Sequence, residues 1–249
     1  MKTPRTSAMR LGKQGGEKRE SEVGRMLIPM GFMMLLWIVA FTGGNYLMMS
    51  TIEEKSTRAM EVLLSAVSPT ELLAGKILGF ATVSAVMLGM YIAVAVAFMI
   101  IFAAVDLVTW QDMLLSGLFF VLAYLMVAAI MAGIGSAVSD ITEAQSLMGP
   151  AMVILILPML LMPVLTEDPN GMVGTIASYI PPVSPFVMVL RIAASPEPLP
   201  LFELLLASIW SMACAAGMIW AAGRVFRVGV LMQGKPPSPV ELIRWIRYR

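Results

Sequence analysis

The sequence predicts an all-α fold, a polytopic transmembrane helical bundle of about five spans with a re-entrant helical pair and amphipathic interfacial helices. Two observations predict this class. Of the 249 residues, 59% are hydrophobic and only 13% are charged, whereas soluble domains carry about 25% charged residues. Several apolar runs also approach or exceed the roughly 20 residues that a helix needs to cross a bilayer. The chain is therefore predicted to be an integral membrane protein.

Composition also excludes several kinds of chemistry. The chain has one cysteine, Cys214, and no histidine, which excludes a disulfide within one chain, Cys/His metal sites and histidine-based catalysis. Cys214 lies in an apolar run and is interpreted as a small buried hydrophobe. No phosphate-binding loop is present, since Gly75 and Lys76 are followed by an isoleucine. We therefore predict no catalytic or metal site and, because the charges are not pooled, no nucleic-acid binding.

The chain begins with a polar segment, residues 1–25, for which we expect a flexible tail with little structure. A transmembrane domain follows over residues 26–223, and its first apolar run covers 26–50. Trp37 and Trp110 are candidate anchors at the membrane interface. Four glycines are interpreted as contacts between packed helices: Gly43, Gly44, Gly133 and Gly135.

A short charged and amphipathic segment, residues 53–76, separates the first two apolar runs, and we call it the island. Four apolar residues in it follow the i, i+3, i+4, i+7 spacing of one helical face: Met60, Leu63, Leu64 and Val67. Glu54 and Arg58 have the spacing of a favourable i, i+4 ion pair. From the residues alone, docking of a soluble partner and binding to lipid headgroups are equally open.

The island also contains a strong signal for a new helix. Ser68 can cap the helix, Pro69 suits its first position, and Glu71 completes a capping box. The sequence therefore predicts that one helix ends near Val67 and that another begins there.

The remaining apolar runs complete the bundle. The helix that starts at Ser68 is expected to reach about residue 104, before a polar loop at 106–112. Further spans are predicted at 113–138, 147–165 and 201–222, with Pro150, Pro158 and Pro163 kinking the fourth span.

Two further segments are not predicted to cross the membrane. Residues 175–194 are apolar but contain Pro181, Pro182 and Pro185 near their middle, which favours a re-entrant or interfacial helical pair. The basic tail, 224–249, includes a capped helix start at 238–241 and an amphipathic pattern, so it is expected to lie along the membrane surface.

Two enzymatic or transport alternatives fit the residues less well. Glu53 and Glu54 followed by Arg58 match the first motif of CAAX-type intramembrane proteases, but those enzymes also need histidines, which this chain lacks. Acidic residues are missing from the centres of the predicted spans, which counts against a proton- or ion-coupled secondary transporter. The abundant methionines are interpreted as packing residues rather than as a metal path.

Three stretches, residues 53–79, 180–192 and 224–238, resemble type 2 ABC exporter permeases of the NatB-like sodium-extrusion branch. The resemblance implies a multi-pass permease subunit in the cell inner (plasma) membrane. It would pair with a second permease chain, as a homo- or heterodimer, and be driven by a separate ATP-binding subunit that holds ATP-Mg. The exported substrate would be sodium or another small solute. The chain itself would be neither an enzyme nor a cofactor binder.

The resemblance also implies roles for individual residues. The segment 53–68 corresponds to the coupling helix that docks on the ATPase, with these residues at the dock: Glu53, Glu54, Arg58, Met60, Glu61, Leu63, Leu64, Val67 and Ser68. The segment 175–194 corresponds to re-entrant helices on the extracytoplasmic side, with these residues in the motif: Pro181, Pro182, Ser184 and Pro185.

The chain departs from this family pattern because it lacks the first span and the large extracytoplasmic domain. It resembles the C-terminal part of such a permease, as a truncated or split version would. The alternative function is therefore a non-transporting membrane scaffold or an immunity-type subunit derived from a truncated permease.

The charges at the two termini raise a question of topology. Residues 1–25 hold seven Lys and Arg against three Glu, and residues 224–249 hold six against one. The positive-inside rule then places both termini in the cytoplasm, which requires an even number of spans and an external island. The resemblance implies five spans, an external N-terminus and an internal island. The prolines of 175–194 argue against a sixth crossing, so we favour this second arrangement.

Overall fold

The structure is a computed structural model that describes residues 5–57, 59–101, 110–195, 199–230 and 241, with side chains described from residue 29 onward except 94–110 and 112. Its helices are α1 (Arg5–Ser56), α2 (Ala59–Ala66), α3 (Pro69–Ile101), α4 (Trp110–Ala137), α5 (Ile141–Glu167), α6 (Met172–Ala177), α7 (Ser184–Ala194) and α8 (Leu201–Gly229). No strand occurs within these described ranges. Five helices are long and apolar enough to cross a membrane, so the predicted all-α bundle of five spans is confirmed.

The five candidate spans lie within the five longest helices. They are Pro29–Ser56 in α1, Pro69–Ala93 in α3, Met113–Ala137 in α4, Ile141–Glu167 in α5 and Leu201–Gly229 in α8. The short helix α7 has 11 residues and is therefore only about 16 Å long, too short for a hydrocarbon core of about 30 Å.

Several element boundaries differ from the sequence-based expectation. Helix α1 begins at Arg5, so most of 1–25 continues the helix of the first span instead of lacking structure. The segment is rich in Lys, Arg and Glu, which are good helix formers, and extending an existing helix avoids the cost of nucleation. The predicted helix start at 238–241 lies outside the described residues except for Glu241.

Helix α5 begins earlier than predicted because Asp140 caps its start. The Asp140 Oδ1 accepts a hydrogen bond from Glu143 N at 2.8 Å, and Glu143 Oε2 accepts one from Ser139 N at 2.8 Å. The helix then runs from Ile141 to Glu167 through all three prolines. Helix α8 likewise continues to Gly229, beyond the predicted end at residue 222.

Helices α1, α4 and α8 form the closest-packed part of the bundle, and glycines allow this approach. A Cβ atom added at Gly135 on α4 would lie 2.9 Å from Met48 O of α1. One added at Gly229 on α8 would lie 2.7 Å from Ser136 O of α4. The predicted packing role is also confirmed for Gly43 and Gly44, but it is wrong for Gly133, which has no neighbour within 4 Å of such a Cβ.

Side-chain contacts show which helix ends meet. The Lys55 ammonium, at the end of α1, contacts Ser136 and Gly229, at the ends of α4 and α8. The Arg191 guanidinium contacts Pro169, just after α5, and Glu203, in the first turn of α8. We call these the island end and the hairpin end of the bundle.

Residues 172–194 therefore begin and end at the same end of the bundle, the hairpin end. We call this segment, which contains α6 and α7, the hairpin. Because it begins and ends beside Arg191, it does not cross the bundle, and the described chain crosses it five times. The C-terminal ends of the first, third and fifth spans all lie at the island end, as alternating crossings require.

Candidate functional site

The junction inside the island has the predicted geometry. Helix α2 ends at Ala66 and α3 begins at Pro69. The Glu71 carboxylate accepts hydrogen bonds from the backbone N and the hydroxyl of Ser68, at 2.9 and 2.7 Å. The Glu71 N lies 3.4 Å from Ser68 Oγ. These contacts form a capping box, so the predicted start of a helix at Ser68 is confirmed.

The predicted apolar stripe of α2 is divided between two environments. Met60 is 2% exposed and Leu64 is partly buried, and both pack on the core of the bundle. Leu63 and Val67 are 37% and 39% exposed, and their neighbour Val62 is 71% exposed. Half of the stripe therefore fixes α2 on the bundle, and the other half faces outward.

We call the exposed apolar set Val62, Leu63 and Val67 the outer face of α2. Glu61 of α2 is also exposed, as is Glu53 near the end of α1. Single exposed apolar residues are common on protein surfaces, but adjacent ones with a charged rim are typical of a contact site. In a membrane protein such a face can also meet lipid headgroups.

Glu54 forms an ion pair across helices that the sequence did not predict. Its Oε1 lies 2.8 Å from Lys76 Nζ of α3, and that ammonium also donates to Ser50 Oγ at 3.0 Å. Arg58, the predicted partner, lies outside the described residues. Glu54 Oε2 is buried and has no hydrogen-bond partner in the described part of the chain. Glu54 thus ties the end of α1 to the start of α3.

Lys55, the next residue, ties α1 to two other helices. Its Nζ donates to Gly229 O at 2.7 Å and to Ser136 O at 3.0 Å. These carbonyls lie in the last turns of α8 and α4, where backbone oxygens lack partners in their own helix and the helix dipole favours a cation. Sequence analysis missed this role. A basic residue in the last turn of a helix was visible, but its reach to two distant helices was not.

The hairpin brings its predicted residues together in a buried place. Pro182, Ser184 and Pro185 are buried, whereas Pro181 is exposed. The Ser184 hydroxyl lies 2.7 Å from the hydroxyl of Ser211 on α8. Every residue from Ser184 to Arg191 is buried, so α7 is enclosed by the longer helices. These residues and the island lie at opposite ends of the bundle and form no common site.

Arg191 organises the hairpin end and was not predicted. Its side chain is 1% exposed and lies 2.6 Å from Glu203 Oε1. It also donates to Pro169 O at 2.8 Å, to Ser178 Oγ at 2.9 Å and to Asn170 Oδ1 at 3.2 Å. A guanidinium suits this place because it presents several donors in a fixed geometry. A single arginine inside an otherwise uncharged apolar segment was the available signal.

Comparison with known proteins assigns the chain to a family. A family described as ABC-2 family transporter protein matches residues 4–224. The chain belongs to this family of membrane transport components. No solved structure matches it significantly.

Two curated relatives are similar over most of the chain. It is 32% identical over 222 residues to the Methanocaldococcus jannaschii protein MJ1024, which covers 89% of this chain and 54% of the relative. It is 24% identical over 242 residues to Bacillus subtilis YhaP, covering 88% and 55%. The chain spans about half the length of these relatives, and both are called uncharacterized proteins, so neither identifies a substrate.

Proposed function

We propose that this chain is the permease subunit of an ATP-driven ABC exporter and that its island docks a separate ATPase subunit, which holds ATP-Mg. The observation that carries the proposal is the outer face of α2. It is exposed and apolar, it lies at one end of the bundle, and it is attached through Met60 and Leu64 to the core. Membership of the ABC-2 transporter family supports a partner of this kind.

The contacts of the island provide a route for force. Movement of α2 acts on the end of α1, where Glu54 holds α3 through Lys76 and where Lys55 holds the last carbonyls of α4 and α8. Two consecutive side chains therefore reach three other spans. Closure of the partner ATPases would displace the island and rock these spans against one another, which is a gating motion of rigid helices.

In the proposed topology the island end faces the cytoplasm. The island and residues 224–249 together hold nine Lys and Arg, against seven in residues 1–25. Since the C-terminal end of α8 lies at the island end, the positive-inside bias favours that end as cytoplasmic. In this topology the hairpin lies on the extracytoplasmic side. The proposed location in the cell inner (plasma) membrane rests on the sequence resemblance.

Two finer assignments rest on the sequence resemblance. A second permease chain would complete the pathway, as a homo- or heterodimer. The substrate would be sodium, as in the NatB-like branch, or another small solute.

Docking is tested by co-purification from crosslinked native membranes. The tagged chain is expected to capture an ABC ATP-binding subunit, identified by its phosphate-loop peptide. The double variant Leu63→Glu and Val67→Glu should reduce capture at least tenfold, because it charges the outer face of α2. Met172→Glu is the matched control, since Met172 is 79% exposed at the hairpin end. Equal capture of the ATPase subunit by the double variant and by Met172→Glu would show that the island is not the docking site.

The topology is tested by cysteine labelling. Ser56→Cys in a Cys214→Ser background places one thiol on an exposed island residue. A membrane-impermeant maleimide should label it in inverted vesicles and leave it unlabelled in intact cells. Labelling in intact cells would exclude a cytoplasmic island.

A further inference from the structure

Two polar side chains lie at the middle of the first span. Thr42 and Asn45 are on α1, whose candidate span is Pro29–Ser56. At 1.5 Å per residue, about 20 Å of helix lies on each side of Thr42. Both side chains are partly buried. Polar groups at this depth are rare and costly, and they mark ligand pathways or contacts between helices.

A cavity adjoins these side chains. Its volume is about 270 Å³, and its described lining is Phe41, Thr42, Asn45 and Tyr46. These residues share one helical face of α1, because Phe41 and Asn45, and also Thr42 and Tyr46, are four positions apart. The Phe41 ring stacks on Trp37 with centroids 4.9 Å apart, and the Trp37 indole donates to Leu155 O of α5 at 2.7 Å. Trp37, a candidate anchor at the membrane interface, braces this wall of the cavity.

The polar groups of the cavity have no partners among the described residues. No hydrogen bond is formed there by the Thr42 hydroxyl or the Asn45 amide. Two threonine hydroxyls elsewhere in the spans are satisfied within their own helix: Thr51 donates to Leu47 O at 2.8 Å and Thr82 to Leu78 O at 3.1 Å. An unpaired amide in hydrocarbon costs several kcal/mol. The Asn45 amide therefore needs a partner from outside the described chain.

We propose that this cavity binds an uncharged amphiphilic molecule, which hydrogen-bonds to Asn45 and Thr42 and packs its apolar part on Phe41 and Tyr46. The site would be the substrate contact of the exporter, so it rests on the proposed function. Its volume lies just below the usual range for drug-sized ligands, which favours a small molecule.

The chemistry of the lining favours a neutral ligand over a cation. Between Pro29 and Ile52 the helix carries no charged residue. The described lining offers three side-chain oxygens, those of the Thr42 and Tyr46 hydroxyls and of the Asn45 amide, and hard cations prefer more oxygen ligands than these. An uncharged amphiphile needs no counter-charge and uses both the donor and the acceptor of the amide.

The first test is photolabelling of the chain in its native membrane. The probe is an uncharged N-alkyl amide that carries a diazirine and an alkyne. We expect crosslinks concentrated in the α1 peptide that contains Phe41 and Tyr46. Asn45→Leu should lower this labelling at least fivefold, and Thr42→Val at least twofold. Thr82→Val is the matched control, because the Thr82 hydroxyl is already satisfied, and should leave labelling unchanged.

The second test uses one thiol in the cavity. Asn45→Cys in a Cys214→Ser background should react with N-ethylmaleimide, and excess N-alkyl amide should slow this reaction at least threefold. Ile38→Cys, an exposed position two turns away on the same helix, should not be protected. Rapid disulfide formation between two Asn45→Cys chains would overturn the proposal, because the amide would then face a second copy.

Two further outcomes would also overturn it. Uniform photolabelling along α1 and α3 would show simple partitioning from lipid. Displacement of the probe by sodium chloride but not by choline chloride would make the cavity a cation site. Neither assay requires the ATPase. A labelled cavity without ATPase capture would overturn the proposed function and the role of the cavity as a substrate contact, but it would support the binding site itself. ATPase capture without a labelled cavity would overturn the site alone.

Discussion

The two ends of the bundle are held together in different ways. At the island end, Lys55 and Lys76 reach from one helix to another, and the capping box of Ser68 is exposed to solvent. At the hairpin end, the fully enclosed Arg191 binds side chains and backbone of three segments. A buried guanidinium with four partners fixes its neighbours, whereas Lys55 and Lys76, with two partners each, hold theirs less firmly. The island end is thus suited to movement and the hairpin end to rigidity.

The largest effect is expected for Arg191→Leu. Glu203, Ser178 and Pro169 O would lose their partner inside the bundle, and removing one member of a buried ion pair costs about 3–5 kcal/mol. Thermal unfolding in detergent should show a large decrease in midpoint, with faster hydrogen exchange in the hairpin. Arg227→Leu, on an exposed part of α8, is the control. Equal midpoints for the two variants would show that the hairpin end is not fixed by Arg191.

A smaller effect is expected for Gly229→Ala at the island end. The new Cβ would lie 2.7 Å from Ser136 O, so α8 must move away from α4, and overpacking of this kind costs about 1–3 kcal/mol. Gly217→Ala on the same helix has no neighbour within 4 Å and should be neutral or slightly stabilising. The comparison of the two melting midpoints checks the expectation. A Gly229→Ala protein as stable as Gly217→Ala would mean that α4 and α8 are loosely packed.

Lys55→Met should destabilise the protein by about 1–2 kcal/mol, because two charge-assisted hydrogen bonds at a partly exposed site are lost. Hydrogen exchange should accelerate in the last turns of α4 and α8 and remain unchanged in the hairpin. Lys76→Met should accelerate exchange at the start of α3 instead, since its partners are Glu54 and Ser50. If both variants accelerated hydrogen exchange in the same helices, the two lysines would not hold different pairs of helices together.

The smallest effect is expected for Ser68→Ala, which removes an exposed cap. Loss of a Ser cap costs about 1 kcal/mol or less in this setting. Exchange should rise in the first turn of α3 alone, as measured by mass spectrometry of the island peptides. Ser65→Ala, one turn earlier, should change little, because its hydroxyl bonds only to Val62 O and Ala favours a helix. A larger loss for Ser65→Ala would contradict the assigned cap.

Features that depend on nearby residues were predicted well from the sequence. The five spans, the capping box of Ser68 and the packing role of Gly43 follow from length, local hydrogen bonding and side-chain size. The division of the α2 stripe was not predicted, because periodicity shows that an apolar face exists but not how much of it the bundle covers. Helix propagation through the charged residues before Pro29 was also missed.

Contacts between distant parts of the chain were the main omission. Spacing alone paired Glu54 with Arg58, which lies outside the described residues, and it did not predict the ion pair of Glu54 with Lys76 of α3. Lys55 and Arg191 act on residues up to 174 positions away, and no local pattern encodes such a distance. The predicted docking role of the island is the part of the site that still depends on the family and on the proposed experiments.

The central place of α4 has a consequence for tolerance to substitution. Half of the most apolar part of its span is buried within the chain, against 17% for α3, α5 and α8. Random replacements along α4 should therefore abolish accumulation of the protein far more often than replacements along α3 or α5. A library that scores every single substitution for protein abundance would show α4 as a continuous band of intolerance, while the outer spans would accept most apolar exchanges.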